Sequence, residues 1–141
     1  MNKKVSLIVP CYNEQESLPI FYQAVCEVAR DIPQYDISLL LVNDGSKDDT
    51  LGVMRELAAA DERVHYISFS RNFGKEAAMF AGFCNAKGDY VAVMDADMQD
   101  PPSLLPQMLE ILESGEYDSV ATRRVTREGE PHVLSFFGRV F

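Results

Sequence analysis

Apolar runs suited to buried strands alternate with helical patterns along this chain, and that alternation limits the fold more than any other feature. Residues 5–9 (VSLIV), 37–42 (ISLLLV), 64–69 (VHYISF), 90–94 (YVAVM) and 118–122 (DSVAT) are short and rich in β-branched and large apolar side chains. Most lack strict polar–apolar alternation, as expected of strands covered on both faces. Residues 17–31 set Ile20, Phe21, Val25, Val28 and Ala29 on one helical stripe, with Pro19 in the first turn and Ser17 as a cap. Ser46 and Asp49 form a capping-box-like start to a helix through Leu51, Met54, Leu57 and Ala58. Residues 76–86 are Ala-rich around Met79, Phe80 and Phe83, and residues 103–113 carry Leu104, Leu105, Met108, Leu109 and Leu112. Strand followed by helix, repeated in this way, predicts an α/β fold: a mostly parallel, doubly wound sheet flanked by helices.

The chain has 141 residues, the size of one ordinary domain, and is 47% hydrophobic, enough for a sizeable core. No repeat, low-complexity tract or linker precedes residue 123, so residues 1–122 read as the domain and 123–141 as an arm. The formal net charge is -9; the arm carries four Arg and two Glu, +2, which leaves -11 on the body. An acidic body argues against a nucleic-acid-binding surface. Cys11, Cys26 and Cys84 are far apart, with only His65 and His132 to join them, and read as reduced thiols of a cytosolic protein. The apolar run near the N-terminus is too short for a signal peptide. No stretch approaches the ~20 apolar residues of a spanning helix.

A doubly wound sheet binds ligands outside the carboxyl ends of its strands. Those ends carry Pro10-Cys11-Tyr12-Asn13-Glu14, Asn43-Asp44-Gly45-Ser46, residues 70–75 (SRNFGK), and Asp95-Ala96-Asp97. Asp95 and Asp97 are the sharpest signal. Two carboxylates where a buried strand ends can chelate Mg²⁺ or Mn²⁺ through hard oxygens, with Gln99 adding a neutral one. The alternative is a solvated acidic turn. Asp100 precedes Pro101-Pro102 and serves either as a helix cap or in chemistry. Asp44 suits a base or ribose, or a plain capped turn that Gly45 permits. Tyr12 can pack on a flat base and Glu14 hold a ribose hydroxyl, or the loop is a turn capped by Asn13. Arg71 and Lys75 are the only cations expected on this edge before the arm. In the arm, Arg123, Arg124, Arg127 and Arg139 can bind anionic oxygens. The apolar stretch VLSFFGRVF suits a membrane surface or a helix docked on the core. No strand is followed by GxGxxG, which argues against a dinucleotide site, and no GxxxxGK[ST] P-loop is present.

The order and spacing of SLIVPCYNEQESL, LLLVNDGSKDDT, SRNFGKEAAMFAGF, GDYVAVMDADMQDPP and TRRVTREGE resemble family-2 glycosyltransferases. They are most similar to bacterial members that load a sugar onto polyprenyl phosphate. The resemblance implies the GT-A fold and inverting, metal-dependent transfer of a hexose from a UDP- or GDP-type sugar at the cytoplasmic membrane face. It implies a nucleotide-sugar pocket lined by Pro10, Tyr12, Asn13, Glu14, Asp44, Gly45, Ser46, Arg71, Lys75, Asp95 and Ala96. Asp95, Asp97 and Gln99 would hold the metal, and Arg123 and Arg127, with Arg139, would meet phosphates. An acceptor phosphate is already anionic and needs no strong base; a sugar-hydroxyl acceptor would need one, with Asp100 the nearest candidate. Such enzymes usually continue into membrane helices, so the chain reads as the front part of something longer. A non-catalytic nucleotide-sugar-binding module is the rival reading. A nucleotidyltransferase would ordinarily have a Gly- and Arg-rich first loop, and VPCYNEQES has neither residue.

Overall fold

The computed structural model describes residues 2–123 and 133–137, with Arg123 and 133–137 described as backbone only. Arg124, Arg127, His132 and Arg139 lie outside the described residues. Strands β1 (Lys3–Cys11), β2 (Tyr35–Asn43), β3 (Val64–Ser68) and β4 (Tyr90–Val93) form one parallel sheet in the order β3-β2-β1-β4. Helices α1 (Ser17–Asp31), α2 (Thr50–Ala60) and α3 (Lys75–Asn85) connect them. A short 3₁₀ turn, Pro102–Leu104, leads into α4 (Leu105–Glu113).

Burial on both faces comes from the uninterrupted apolar runs. Val5, Leu7, Val9 and Cys11 of β1 pack with Leu18, Phe21, Val25 and Val28 of α1, Met54 of α2, and Leu105 and Leu109 of α4. The other face sets Ile8 of β1 and Val42 of β2 against Ala78 of α3. Right-handed crossovers explain the division. The connections β1 to β2 and β2 to β3 run one way along the sheet, whereas β3 to β4 runs back across it. Each fully buried Leu, Ile or Phe contributes about 1.5–3 kcal/mol.

Several expectations are corrected. The fifth run does not join the parallel sheet. It forms β5 (Ser119–Arg123), which pairs antiparallel with β6 (Val133–Phe137). The apolar stretch at 133–137 is therefore a strand and not a helix. Ile20 is 61% exposed, and Leu18 takes its place on the buried stripe. On α3 the buried residues are Ala78 and Gly82, while Phe80 and Phe83 are 70% and 51% exposed. The helix lies so close to the sheet that only small side chains fit between. The capping box at Ser46 and Asp49 does not form. Asp48 Oδ1 instead accepts from Thr50 N at 3.0 Å. Ser17 caps no helix, since its hydroxyl bonds the Glu14 carboxylate. Among the described residues, the hydrogen bond of Asp100 is with Thr122 and not with the turn after it.

A Cβ built on Gly82 would sit 2.3 Å from Cγ2 of Ile8, a stiff, fully buried side chain. Gly82→Ala is expected to destabilise the domain by about 1–2 kcal/mol, because overpacking outweighs Ala's better helix propensity. Urea denaturation checks this, and in an Ile8→Ala background the same change should be neutral or stabilising.

Candidate active site

The strand order reverses between β1 and β4, and the loops leaving their carboxyl ends meet there. Together with Asp44 after β2 and Lys75 at the start of α3, they line a cavity of about 180 Å³ through Pro10, Cys11, Tyr12, Glu14, Asp95 and Asp97. Crevices at such reversal points are where open α/β sheets take ligands. The volume is below the ~300 Å³ lower end of sites that engulf a whole small molecule. It suits one polar portion of a larger ligand.

The loops are tied to one another before any ligand arrives. Asn13 takes a left-handed backbone (φ 54°), and its Oδ1 accepts from Lys47 N at 2.8 Å, while its own N–H donates to Ser46 Oγ at 2.9 Å. Glu14 N donates to Thr50 Oγ1 at 2.9 Å, and Gln15 Oε1 accepts from Asp49 N at 3.0 Å. The first and second loops are thus one rigid unit. Asp44 fastens the third. Its carboxylate is buried and accepts from Phe73 N at 2.8 Å, from Gly74 N at 3.1 and 3.2 Å, and from Asn72 Nδ2 at 3.1 Å. Gly45 (φ 66°) stands where that loop crosses: a Cβ there would lie 2.2 Å from the Arg71 carbonyl carbon.

Pro10, Tyr12, Glu14, Asp44, Lys75, Asp95 and Asp97 therefore line one cavity. Asn13, Gly45 and Ser46 lie outside the lining and tie together the loops that form it. Arg71 is outside the lining, its guanidinium stacked 4.0 Å over the Phe73 ring. Ala96 is buried. Gln99 is exposed, outside the lining, and its described contribution is its N–H to Asp97 Oδ1 at 3.0 Å. Asp100 is half-buried and accepts from Thr122 Oγ1 at 3.3 Å. The backbone of Arg123 lies at the end of β5. Cys11, which the sequence marks only as a reduced thiol, also lines the cavity. Burial, reinforced by the Glu14 and Asp95 charges, pushes its thiol far above the ordinary value, so it stays neutral there.

The lining holds four carboxylates, Glu14, Asp44, Asp95 and Asp97, against one cation, Lys75, whose Nζ lies 2.7 Å from Asp95 Oδ1. Hard oxygen donors facing a common space fit Mg²⁺ or Mn²⁺. Among the described residues no three acidic, His or Cys groups form a ready-made cage. Asp95 and Asp97 would supply part of a coordination shell, and a bound anionic ligand the rest.

Comparison with known proteins gives the family. Residues 6–136 match the family described as "Glycosyl transferase family 2". The chain is 43% identical over 124 residues to the bactoprenol glucosyl transferase of Shigella phage SfV, an alignment covering 88% of this chain and 40% of that protein. It is 38% identical over 127 residues to the undecaprenyl-phosphate 4-deoxy-4-formamido-L-arabinose transferase of Photorhabdus laumondii, covering 89% and 38%. The chain thus spans about two fifths of the length of these relatives. Among solved structures it resembles a mannosyltransferase from Pyrobaculum calidifontis in complex with GDP-Man and Mn²⁺. The TM-score is 0.70 at 21% identity, covering 83% of this chain and 34% of that one, a likeness of fold.

Because Asp44 holds two backbone N–H groups of the third loop, Asp44→Ala is expected to lower stability by about 2–3 kcal/mol, the penalty of leaving buried donors unpaired. Asp44→Asn, which keeps one acceptor oxygen, should lose about half as much. Urea midpoints of the two variants against the parent check this in the absence of any ligand.

Proposed function

The chain belongs to glycosyl transferase family 2, and on that footing we propose that it binds the donor in an inverting, metal-dependent transfer of a hexose from a nucleotide diphosphate sugar to a polyprenyl phosphate. The observation that carries this reading is the meeting of Asp95 and Asp97 with Tyr12, Glu14 and Asp44 in one cavity where the strand order reverses. The names of the two relatives support the acceptor class. The fold neighbour solved with GDP-Man and Mn²⁺ supports the donor and cation class.

Each residue has a part set by its place. Tyr12, 40% exposed at the mouth, offers a ring face to the base. Glu14, whose backbone is fixed through Thr50, presents its carboxylate to the ribose hydroxyls. Asp44 shapes the wall by holding the third loop and leaves the base contact to residues around it. Asp95 and Asp97 would hold a divalent ion, which when bound stabilises negative charge on the departing nucleoside diphosphate. The N–H of Gln99 keeps the Asp97 carboxylate aimed by occupying Oδ1. Arg123 and Arg127 are assigned to acceptor or donor phosphates. Asp100, bonded to Thr122 and outside the lining, suits an acceptor phosphate that brings its own negative charge and needs no base. Among the described residues no helix is long and apolar enough to cross a membrane. The same reading puts the transfer at the cytoplasmic face of the membrane.

A thermal-shift titration with UDP, GDP and their hexose conjugates, with Mn²⁺ and with EDTA, tests the donor site. One nucleotide class should raise Tm only with the metal, by several degrees at a hundredfold excess over Kd, equivalent to about 2.7 kcal/mol. Asp97→Ala should abolish that shift while leaving the ligand-free Tm within a degree or two. A variant that still binds donor as tightly as the parent would remove Asp97 from the site.

A further inference from the structure

Lys75 is out of place by the rules that govern helices, and the cavity explains why it is there. It is the first residue of α3, where the helix dipole disfavours a cation. Its ammonium reaches Asp95 Oδ1 at 2.7 Å, although the side chains are 57% and 34% exposed. An ion pair this exposed adds little to stability, so folding alone gives weak reason for it.

The mounting of the residue is informative. Gly74, immediately before it, has its N–H held by the buried Asp44 carboxylate, and its carbonyl accepts from Ala78 N at 3.2 Å. The backbone under Lys75 is therefore fixed, while the four-carbon stem and the ammonium are free to move. Among the described residues lining the cavity it is the sole cation facing four carboxylates. Arg71, the other cation on this loop, is engaged with the Phe73 ring.

We propose that Lys75 is a resident counter-cation: it neutralises Asp95 in the free protein and moves to the diphosphate oxygens of a bound nucleotide when Asp95 is taken up by a divalent cation. The inference rests on the reading of the cavity as a diphosphate site. Electrostatics gives the exchange its direction. In the free protein the largest uncompensated charge near the ammonium is carboxylate. Once a divalent cation claims that carboxylate, the ammonium is repelled by the ion and attracted by phosphate oxygens. Lys75 therefore weakens binding of the cation alone and strengthens binding of the cation with nucleotide. It makes the two ligands bind cooperatively.

Lys75→Met separates these effects because they have opposite signs. Mn²⁺ alone, titrated into the 141-residue chain and followed by electron paramagnetic resonance, should bind the variant about two- to fivefold more tightly than the parent, the range an exposed ion pair converts to. UDP or GDP with saturating Mn²⁺, followed by calorimetry, should bind the variant at least about tenfold more weakly. Lys75→Arg should restore the second value towards that of the parent. Mn²⁺ binding alone that is unchanged or weakened in Lys75→Met overturns the counter-cation role, even if the parent binds Mn²⁺ and nucleotide as proposed above. A gain in Mn²⁺ affinity together with no nucleotide binding by the parent keeps Lys75 as the partner of Asp95 and removes the donor-site reading. An equal loss of both affinities would mark Lys75 as a merely structural residue.

Discussion

A single buried carboxylate organises the edge of this sheet. Asp44 directly follows β2, accepts the N–H groups of Phe73 and Gly74 just before α3, and through its own N–H reaches the Cys11 carbonyl at 2.9 Å. Three consecutive strand ends are thereby joined through one residue. A carboxylate that is 4% exposed would be costly without such partners. With them it turns three independent loops into one wall. The Asn13 bonds to Lys47 and Ser46 do the same for the first and second loops. The cavity is a property of this bracing as much as of the residues that face it.

The charge balance of the cavity defines what it can accept. Glu14, Asp44, Asp95 and Asp97 face it together with Lys75. Asp44 is neutralised by backbone dipoles, which leaves Glu14, Asp95 and Asp97 to be offset by one ammonium and by whatever binds. An anionic ligand entering alone would be repelled. One entering with a divalent cation would reverse the balance, because the carboxylates could hold such a cation and its charge would offset that of the ligand. The same balance separates the site from the net charge of the chain, -9, which reflects a broadly acidic body.

Strand ends are the most legible part of the sequence. Buried runs announce themselves, and the residues directly after a buried run must lie at the sheet edge. That logic places Tyr12, Glu14, Asp44, Lys75, Asp95 and Asp97 in one crevice from residue order alone. It is blind to features set by tertiary contact. On α3 the bulky side chains suggest burial, yet the close approach to Ile8 selects Ala78 and Gly82 and turns Phe80 and Phe83 outward. Ser46 does not cap α2: Gln15 of another loop accepts the N–H of Asp49, and Asp48 accepts that of Thr50. Residues 118–122 carry a strand signal that holds for parallel and antiparallel pairing alike, and the hairpin with β6 decides between them. Cys11 reaches the cavity because it ends β1 beside Pro10, a position its residue type does not advertise.

Gly45 has a consequence for how this chain can change over generations. Every other genetically encoded residue carries at least a Cβ or a ring, and at position 45 that carbon would meet the backbone between Arg71 and Asn72 at 2.2–2.3 Å. Two main chains are in contact there, and neither can be remodelled by a rotamer. A single-base change in that codon therefore offers selection nothing intermediate to refine. Tyr12, exposed and free of backbone duties in the described hydrogen bonds, is the opposite case. Drift and laboratory diversification of this pocket will move through its rim and leave its glycine crossing untouched.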